Sequence, residues 1–111
     1  MEKFLTIKQL QNCIRQIDHK HGSAEQYMLK LMEEVGELAQ DVRKDTRMQD
    51  GQIKGSIEEE LQDVLYYVVC LANFYDIDLE SCIYLKEELN CKKWNRKNMF
   101  LEMGRGVEHE S

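Results

Sequence analysis

Two short acidic motifs are the part of this sequence whose residue types and spacing could do chemistry. The first motif is Glu33-Glu34-x-x-Glu37, and the second is Glu60-x-x-Asp63. Residues three or four positions apart on a helix project from the same side, with about 5–6 Å between their β-carbons. If both segments are helical, each presents a pair of carboxylates, and the two pairs together predict a site for one or more hard divalent cations.

Such a group of carboxylates destabilises the fold through mutual repulsion when no cation is bound. Two carboxylates about 4 Å apart repel by about 4 kcal/mol at an effective dielectric constant near 20. Asp63 lies between Leu61 and Val64, on the segment with the strongest signal for burial, where an uncompensated charge is expensive. The alternative interpretation of an acidic run is a solvated helix face, and we adopt it for Glu58 and Glu59.

The ligand types select the cation. Di-iron centres in helical proteins normally add a Glu-x-x-His pair from each of two helices, but Glu37 and Asp63 stand where those histidines would be. The three histidines, His19, His21 and His109, lie outside both motifs. Ligation by oxygen alone suits Mg²⁺, with Mn²⁺ as a possible substitute, and disfavours zinc. The number of ions is left open.

The elements that must position these motifs are predicted to be helices. The chain has 111 residues and no proline, and its apolar residues recur at intervals of three and four. Thr6 and Asp78 are predicted N-caps, and Ser56-x-x-Glu59 has the pattern of a capping box. The predicted helices cover about residues 6–20, 24–44, 56–74 and 78–94.

The predicted fold class is all-α, a four-helix bundle-like single domain. Residues 1–98 would form this domain, and residues 99–111 would be a flexible C-terminal tail. The third helix is apolar around most of its circumference, so we expect a homodimer or a homotetramer to complete the fold. Methionines and aromatic residues at helical spacing are interpreted as core filler. The second helix carries an apolar stripe expected to face the core, formed by Met28, Leu31, Val35, Leu38 and Val42.

Charge and hydropathy exclude several partners. The formal net charge of -6 argues against duplex nucleic acid, which needs a clustered basic surface. The longest apolar stretch, residues 64–75, is much shorter than the roughly 20 residues that cross a bilayer. The N-terminus lacks the apolar region of a signal peptide. We therefore expect no membrane partner and a cytoplasmic location.

The ordered pair of acidic motifs in a helical chain of this size resembles the MazG-like all-α nucleotide pyrophosphohydrolases. The resemblance covers about residues 27–94 and extends to a later element of the family, in which a Lys is followed by an Asn and then by a basic and an aromatic residue. Here these positions hold Lys86, Asn90, Lys93 and Trp94. Lys93 departs from the Arg that is more usual there, which keeps the charge but loses bidentate phosphate contact.

The resemblance implies hydrolysis of a nucleoside triphosphate to the monophosphate and pyrophosphate, by attack of water at the α-phosphorus, in nucleotide-pool housecleaning. Mg²⁺ would be held by Glu34, Glu37, Glu60 and Asp63. Glu33 would either bind a second metal ion or orient the attacking water.

The basic element is implied to act on the phosphates. Lys86, Asn90 and Lys93 would bind the leaving pyrophosphate, and Trp94 would either stack on the base or fill the core. Independently of the resemblance, these three residues and Lys97 fall at i, i+4, i+7 and i+11, which predicts one positively charged helical stripe.

Two alternatives from other functional classes stay open. A helical Mg²⁺- or nucleotide-binding module would keep both motifs but release no pyrophosphate. A protein-interaction bundle would use its acidic helices against a basic partner and would be indifferent to Mg²⁺. The sequence does not choose among canonical, modified and phosphoribosyl-type nucleotides.

Overall fold

A computed structural model describes residues 3–18 and 22–101 of the chain, and the predicted all-α class is confirmed: no named strand occurs in these residues. The first helix ends at Ile17 with Asp18 as its C-cap, earlier than the predicted end near Lys20. The part of the predicted tail beyond residue 101 and the three histidines lie outside the described residues. The principal helices are α1 (Ile7–Ile17), α2 (Ala24–Lys44), α3 (Ile57–Phe74) and α4 (Leu79–Trp94).

Helices α1 and α2 begin with complete capping boxes. The Thr6 hydroxyl accepts from the Gln9 N–H at 3.1 Å, and the Gln9 side chain accepts from the Thr6 N–H at 2.9 Å. Ser23 and Gln26 repeat this arrangement at 3.2 and 2.9 Å. The N-cap predicted at Thr6 is therefore confirmed, and in both helices a glutamine supplies the returning side chain.

The capping box predicted at the start of α3 is only half formed. The Ser56 hydroxyl accepts from the Glu59 N–H at 3.2 Å, as expected. The Ser56 N–H already donates to the carbonyl of Ile53 at 3.2 Å. The Glu59 carboxylate therefore accepts one residue further upstream, from the Gly55 N–H at 2.8 Å.

The connection between α2 and α3 is fastened to the first turn of α3. Its tip is a tight turn at Asp50-Gly51, where both residues have positive φ, 52° and 74°. At its base the Glu58 carboxylate accepts from the Arg47 guanidinium at 2.9 and 3.1 Å and from the Met48 N–H at 2.9 Å. The assignment of Glu58 to a merely solvated face was wrong, because these three bonds hold the loop.

The chain divides into two compact units, residues 1–77 and residues 78–111. In the first unit both α1 and α2 pack against α3. Its buried apolar residues include Ile14 on α1 and Val69 on α3. Gln11, also buried, donates to Asn73 at 3.1 Å and to the Ile77 carbonyl at 2.8 Å, which ties α1 to the end of α3.

The second unit is built on α4. Asp78 caps this helix by accepting from the N–H groups of Glu80 and Ser81, as predicted. The buried Glu87 forms a bidentate pair with Arg96 beyond the helix end. Because Asn95 turns into the left-handed region (φ 49°), α4 ends at Trp94. The helical stripe predicted to include Lys97 therefore stops before that residue.

The apolar stripe predicted for α2 is only partly covered. Leu31 and Leu38 are half-buried, whereas Met28, Val35 and Val42 are 45%, 47% and 57% exposed. The two sets lie on adjacent faces of the helix, and α3 covers only one of them. On α3 a second exposed apolar row is formed by Leu61, Leu65 and Val68. None of the helices described is both long and apolar enough to span a bilayer.

Candidate metal centre

Helix α2 turns Glu34 toward α3. Glu34 lies three residues after Leu31 and four before Leu38, and all three are half-buried. This spacing puts the carboxylate on the same helix face as the two leucines. Glu37 lies one turn further along and is exposed. One helix therefore supplies a half-buried and an exposed carboxylate.

Helix α3 supplies the centre of the cluster through Glu60, which is only 7% exposed. One carboxylate oxygen from each of Glu34, Glu37 and Glu60 lies within 4.8 Å of the others, and we call this group the first triad. Oxygens of Glu59, Glu60 and Asp63 meet the same limit and form the second triad. Glu60 belongs to both, so it links all four predicted metal ligands.

Glu59 belongs to the second triad, although the sequence analysis assigned it to a solvated helix face and to a capping box. It is half-buried, and its i, i+4 relation to Asp63 brings the two carboxylates together on α3. That spacing was visible in the sequence, but the Ser56-x-x-Glu59 pattern offered a complete structural explanation for Glu59. The signal was present and was attributed to capping and to a solvated face.

The electrostatics of the cluster favour an added positive charge. One oxygen of Glu34 and one of Glu60 are buried and have no hydrogen-bond partner among the described residues. Burial, together with the adjoining Glu34 carboxyl group, raises the pKa of Glu60 to about 8. Burial also raises the pKa of Asp63, and the charges of Glu59 and Glu37 raise it further. A proton or a cation must balance these groups.

The donor set fits a hard divalent cation. Each ligand atom in the two triads is a carboxylate oxygen, with no nitrogen or sulfur. Mg²⁺ and Mn²⁺ prefer such ligands, and the two buried oxygens provide lone pairs that no donor in the described part of the chain uses. The residues present therefore suit the metal predicted from the sequence.

Glu33 lies outside both triads and beside a cleft. Its carboxylate is 3.5 Å from the Lys30 ammonium group, and its side chain is 56% exposed. Both residues line a cleft of about 840 Å³ on the first unit. Three tyrosines contribute to the walls, although aromatic residues were interpreted as core filler: Tyr27, Tyr66 and Tyr67.

Tyr67 lines this cleft. Burial raises the pKa of its phenol, Lys30 lowers it, and the charges of Glu34 and Asp63 raise it. A cleft of this size with aromatic walls and a few charged groups is typical of small-molecule sites.

The predicted phosphate-binding residues belong to the second unit. Lys86 and Lys93 are exposed on α4, and Asn90 is half-buried between them. Trp94 is 66% exposed, and the Lys93 ammonium group lies 5.1 Å from the centre of its ring. The indole therefore contacts a cation instead of filling a core.

Fold and site together define an all-helical protein that presents a cluster of carboxylates suited to a hard metal. Residues 22–99 match the family model described as the MazG nucleotide pyrophosphohydrolase domain. The chain belongs to this family, a family of hydrolases.

Solved structures agree with this assignment. A crystal structure of iMazG from Vibrio DAT 722 is 44% identical, covers 83% of this chain and 100% of its own, and has a TM-score of 0.73. The Bacillus-conserved MazG protein, described as a nucleotide pyrophosphohydrolase, is 31% identical with a TM-score of 0.62. That match covers 88% of this chain and 98% of the Bacillus one.

A curated relative matches over a shorter segment. The uncharacterized protein YpjD of Bacillus subtilis (strain 168) is 44% identical over 57 residues, which cover 49% of this chain. The chain spans about half the length of this relative, 51%.

Proposed function

We propose that this protein is a Mg²⁺-dependent nucleoside triphosphate pyrophosphohydrolase that cleaves a (d)NTP to the monophosphate and pyrophosphate, in nucleotide-pool housecleaning in the cytoplasm. The observation that carries the proposal is the pair of carboxylate triads on α2 and α3, with buried oxygens that lack a hydrogen-bond partner. Membership of a pyrophosphohydrolase family supports the reaction class.

The carboxylates divide into metal ligands and a water-orienting group. Glu34, Glu37, Glu60 and Asp63 would hold Mg²⁺, which would neutralise phosphate charge and lower the pKa of a bound water. Glu33 is exposed and lies on the cleft side of α2. In that position it would accept a proton from the water that attacks the α-phosphorus.

The cleft lined by Glu33 suits the nucleoside end of the substrate. Its tyrosines offer rings on which a base or ribose can pack, and Lys30 and Glu33 add charged groups to its lining. The base preference found in a substrate screen would report on this cleft.

The basic residues of α4 would bind the leaving pyrophosphate. Replacing Lys86 with Ala is expected to raise KM about tenfold, since charge-assisted bonds to phosphate contribute about 1.5 kcal/mol or more. Lys92→Ala is the matched control, because this exposed lysine lies on the same helix but outside the i, i+4, i+7 row. Equal KM values for the two variants would contradict the assignment of Lys86.

The activity is tested by screening canonical, modified and phosphoribosyl nucleotides for pyrophosphate release, with Mg²⁺ and with chelator. We expect release that requires Mg²⁺. Saturable nucleotide binding without release would indicate the binding module. Stability and nucleotide affinity that are both indifferent to Mg²⁺ would indicate the interaction bundle.

The ligand assignment is tested by Glu37→Gln and Asp63→Asn. Each variant removes one charge from a triad with little change in shape, so we expect at least a hundredfold loss of pyrophosphate release with the helical circular dichroism spectrum retained. Glu25→Gln, an exposed exchange in the first turn of α2, is the control and is expected to keep full activity. Activity that survives in Asp63→Asn would remove this residue from the site.

A further inference from the structure

The cleft of about 840 Å³ contains a carboxylate that the proposed mechanism does not use. Asp18, the C-cap of α1, lines this cleft together with Tyr27 of α2 and Tyr66 of α3. Asp18, Gly22 and Tyr27 also line a second cavity of about 410 Å³. Residues that line both cavities form the partition between them, so Asp18 stands in a wall of the cleft.

Two donors hold Asp18 in this wall. The Tyr27 hydroxyl donates to one of its carboxylate oxygens and accepts from the Gly22 N–H at 3.2 Å. Burial, followed by the hydrogen bond with Asp18, raises the pKa of Tyr27 to about 12, so the phenol keeps its proton near neutral pH. Burial and the Asp18 charge raise the pKa of the Cys70 thiol to about 11, and this thiol also hydrogen-bonds to Asp18. The carboxylate is therefore fixed in position before any ligand arrives.

The chemistry of Asp18 favours one kind of base edge. An ionised carboxylate has about four acceptor sites and no donor, so the two donors leave room for a further N–H group. Cytosine and adenine carry an exocyclic amino group, whereas uracil and thymine carry a carbonyl oxygen at the corresponding position. An amino group would donate to Asp18, and a carbonyl oxygen would be repelled by its charge.

The order of residues along α2 places Asp18 at the base end of the cleft. The cleft is lined along this helix from Tyr27 to Glu33, the residue next to Glu34 in the chain. Tyr27 precedes Glu34 by seven residues, or about 10 Å along the helix axis. Lys30 also lines the cleft, but its charge is paired with Glu33 at 3.5 Å. A nucleotide with its phosphates at Glu34 would extend its base toward Tyr27 and Asp18.

We propose that Asp18 is a specificity-determining residue, which accepts a hydrogen bond from the exocyclic amino group of the base. The protein then prefers nucleotides of cytosine and adenine over those of uracil and thymine. The inference rests on the proposed function, since it requires a nucleotide in the cleft, and it names the class of base. Asp18 contacts the base and takes no part in the cleavage.

The test compares dCTP with dUTP, whose bases differ only in the amino or carbonyl group that Asp18 would contact. The wild type is expected to show a kcat/KM for dCTP at least about tenfold above that for dUTP, since a hydrogen bond to a charged group contributes this much. Asp18→Asn keeps the shape and an acceptor for Tyr27 but offers an amide donor to a carbonyl. The variant is expected to lower the dCTP-to-dUTP ratio about tenfold. A purely structural defect would lower both values equally and leave the ratio unchanged.

Glu25→Gln is the charge-matched control outside the cleft and is expected to keep the wild-type ratio. Calorimetric titration with dCMP and dUMP repeats the comparison without turnover, and preferential binding of dCMP by the wild type is expected. If dCMP binds preferentially and Asp18→Asn loses this preference, but neither triphosphate releases pyrophosphate, the proposed function fails and the inference stands. Equal affinities of the wild type for dCMP and dUMP would overturn the inference, even if Asp18→Asn does not fold. An unchanged preference in Asp18→Asn would overturn it as well.

Discussion

The Glu60 carboxyl group has to satisfy two opposite demands. A buried carboxylate without donors destabilises the fold, yet a metal ligand must be available in its charged form. Without a cation the protein meets the first demand by holding a proton on Glu60, whose pKa is raised to about 8 by burial and by the Glu34 carboxyl group. A bound cation would displace this proton.

This exchange predicts the pH dependence of stability. The pKa of Glu60 is about 8 in the folded protein and 4.5 ordinarily, so the folded state holds the proton more tightly than the unfolded chain. Its contribution to stability is complete below pH 4.5 and is lost as the pH rises toward 8. In chelator, we expect the melting temperature to fall by several degrees between pH 5 and 8.

The measurement is calorimetry across this pH range, with Glu60→Gln as the control. The variant cannot titrate at this position and is expected to show a much flatter profile. Saturating Mg²⁺ binds the ionised form, so it should reverse the slope for the wild type. Glu58 does not interfere, because its hydrogen bonds with Arg47 and Met48 lower its pKa to about 2 and its contribution is lost only in acid. A metal-free melting temperature that rises from pH 5 to 8 would be incompatible with a protonated Glu60.

At the scale of the helices, the beginning of α3 connects stability with metal binding. Ser56 is 2% exposed, and its hydroxyl accepts from the Glu59 N–H while donating to the Ile53 carbonyl. The residues it orders include two members of the second triad. A defect at this N-cap should therefore affect the site, whereas the same defect in another helix should not.

Ser56→Ala is expected to cost about 1–2 kcal/mol of stability, the usual loss when an N-cap acceptor is removed and the Glu59 N–H loses its partner, and to weaken Mn²⁺ binding. Thr6→Ala removes the corresponding cap of α1 and is the matched control. It should lower the melting temperature by a similar amount and leave Mn²⁺ affinity unchanged. Thermal denaturation and calorimetric titration of both variants test this. If Ser56→Ala and Thr6→Ala bind Mn²⁺ with equal affinity, the α3 cap does not influence the site.

The helices themselves could be predicted because their signals are local. Apolar spacing and caps at Thr6, Ser56 and Asp78 depend only on nearby residues. The start of α3 differed from its prediction because the Ser56 N–H finds a partner in the preceding turn, at Ile53. A capping pattern in the sequence shows which side chain can accept a hydrogen bond from the start of the helix. Competing backbone acceptors decide which N–H group is left for that side chain.

The clustering of the candidate carboxylates could be predicted for a similar reason. Carboxylates at helical spacing point the same way, and a long apolar helix implies that Asp63 is near the interior. The sharing of Glu60 between two triads could not be predicted, since it depends on how α2 packs on α3. The aromatic cleft escaped prediction because apolar periodicity does not distinguish a ring in the core from a ring on a cleft wall.

At the scale of the whole molecule, the exposed apolar rows are the basis for expecting self-association. Met32 on α2 is 59% exposed and Leu65 on α3 is 48% exposed, and each belongs to a row of such residues. Apolar rows of this kind usually mark an interface. We therefore retain the homodimer, or a homotetramer, as the expected assembly.

Leu65→Lys is expected to shift the protein to a monomer in analytical ultracentrifugation, because a lysine charge cannot be desolvated at an apolar interface without a partner. Gln40→Lys is the control: this exposed residue of α2 lies away from the Met28, Met32 and Val35 row. A wild-type chain that sediments as a monomer would contradict the prediction, and so would an unchanged assembly in Leu65→Lys.

Because the loop between α2 and α3 is fastened at its base, its length can change without changing the geometry of the site. Its base is fixed where Glu58 binds Arg47 and Met48, and its tip is the exposed turn at Asp50-Gly51. Extra residues at the tip would cost little, because closure entropy grows slowly with loop length. The number of residues between the two acidic motifs can thus change without displacing the carboxylates, and the tip is a natural place to insert a fluorescent label or an affinity tag.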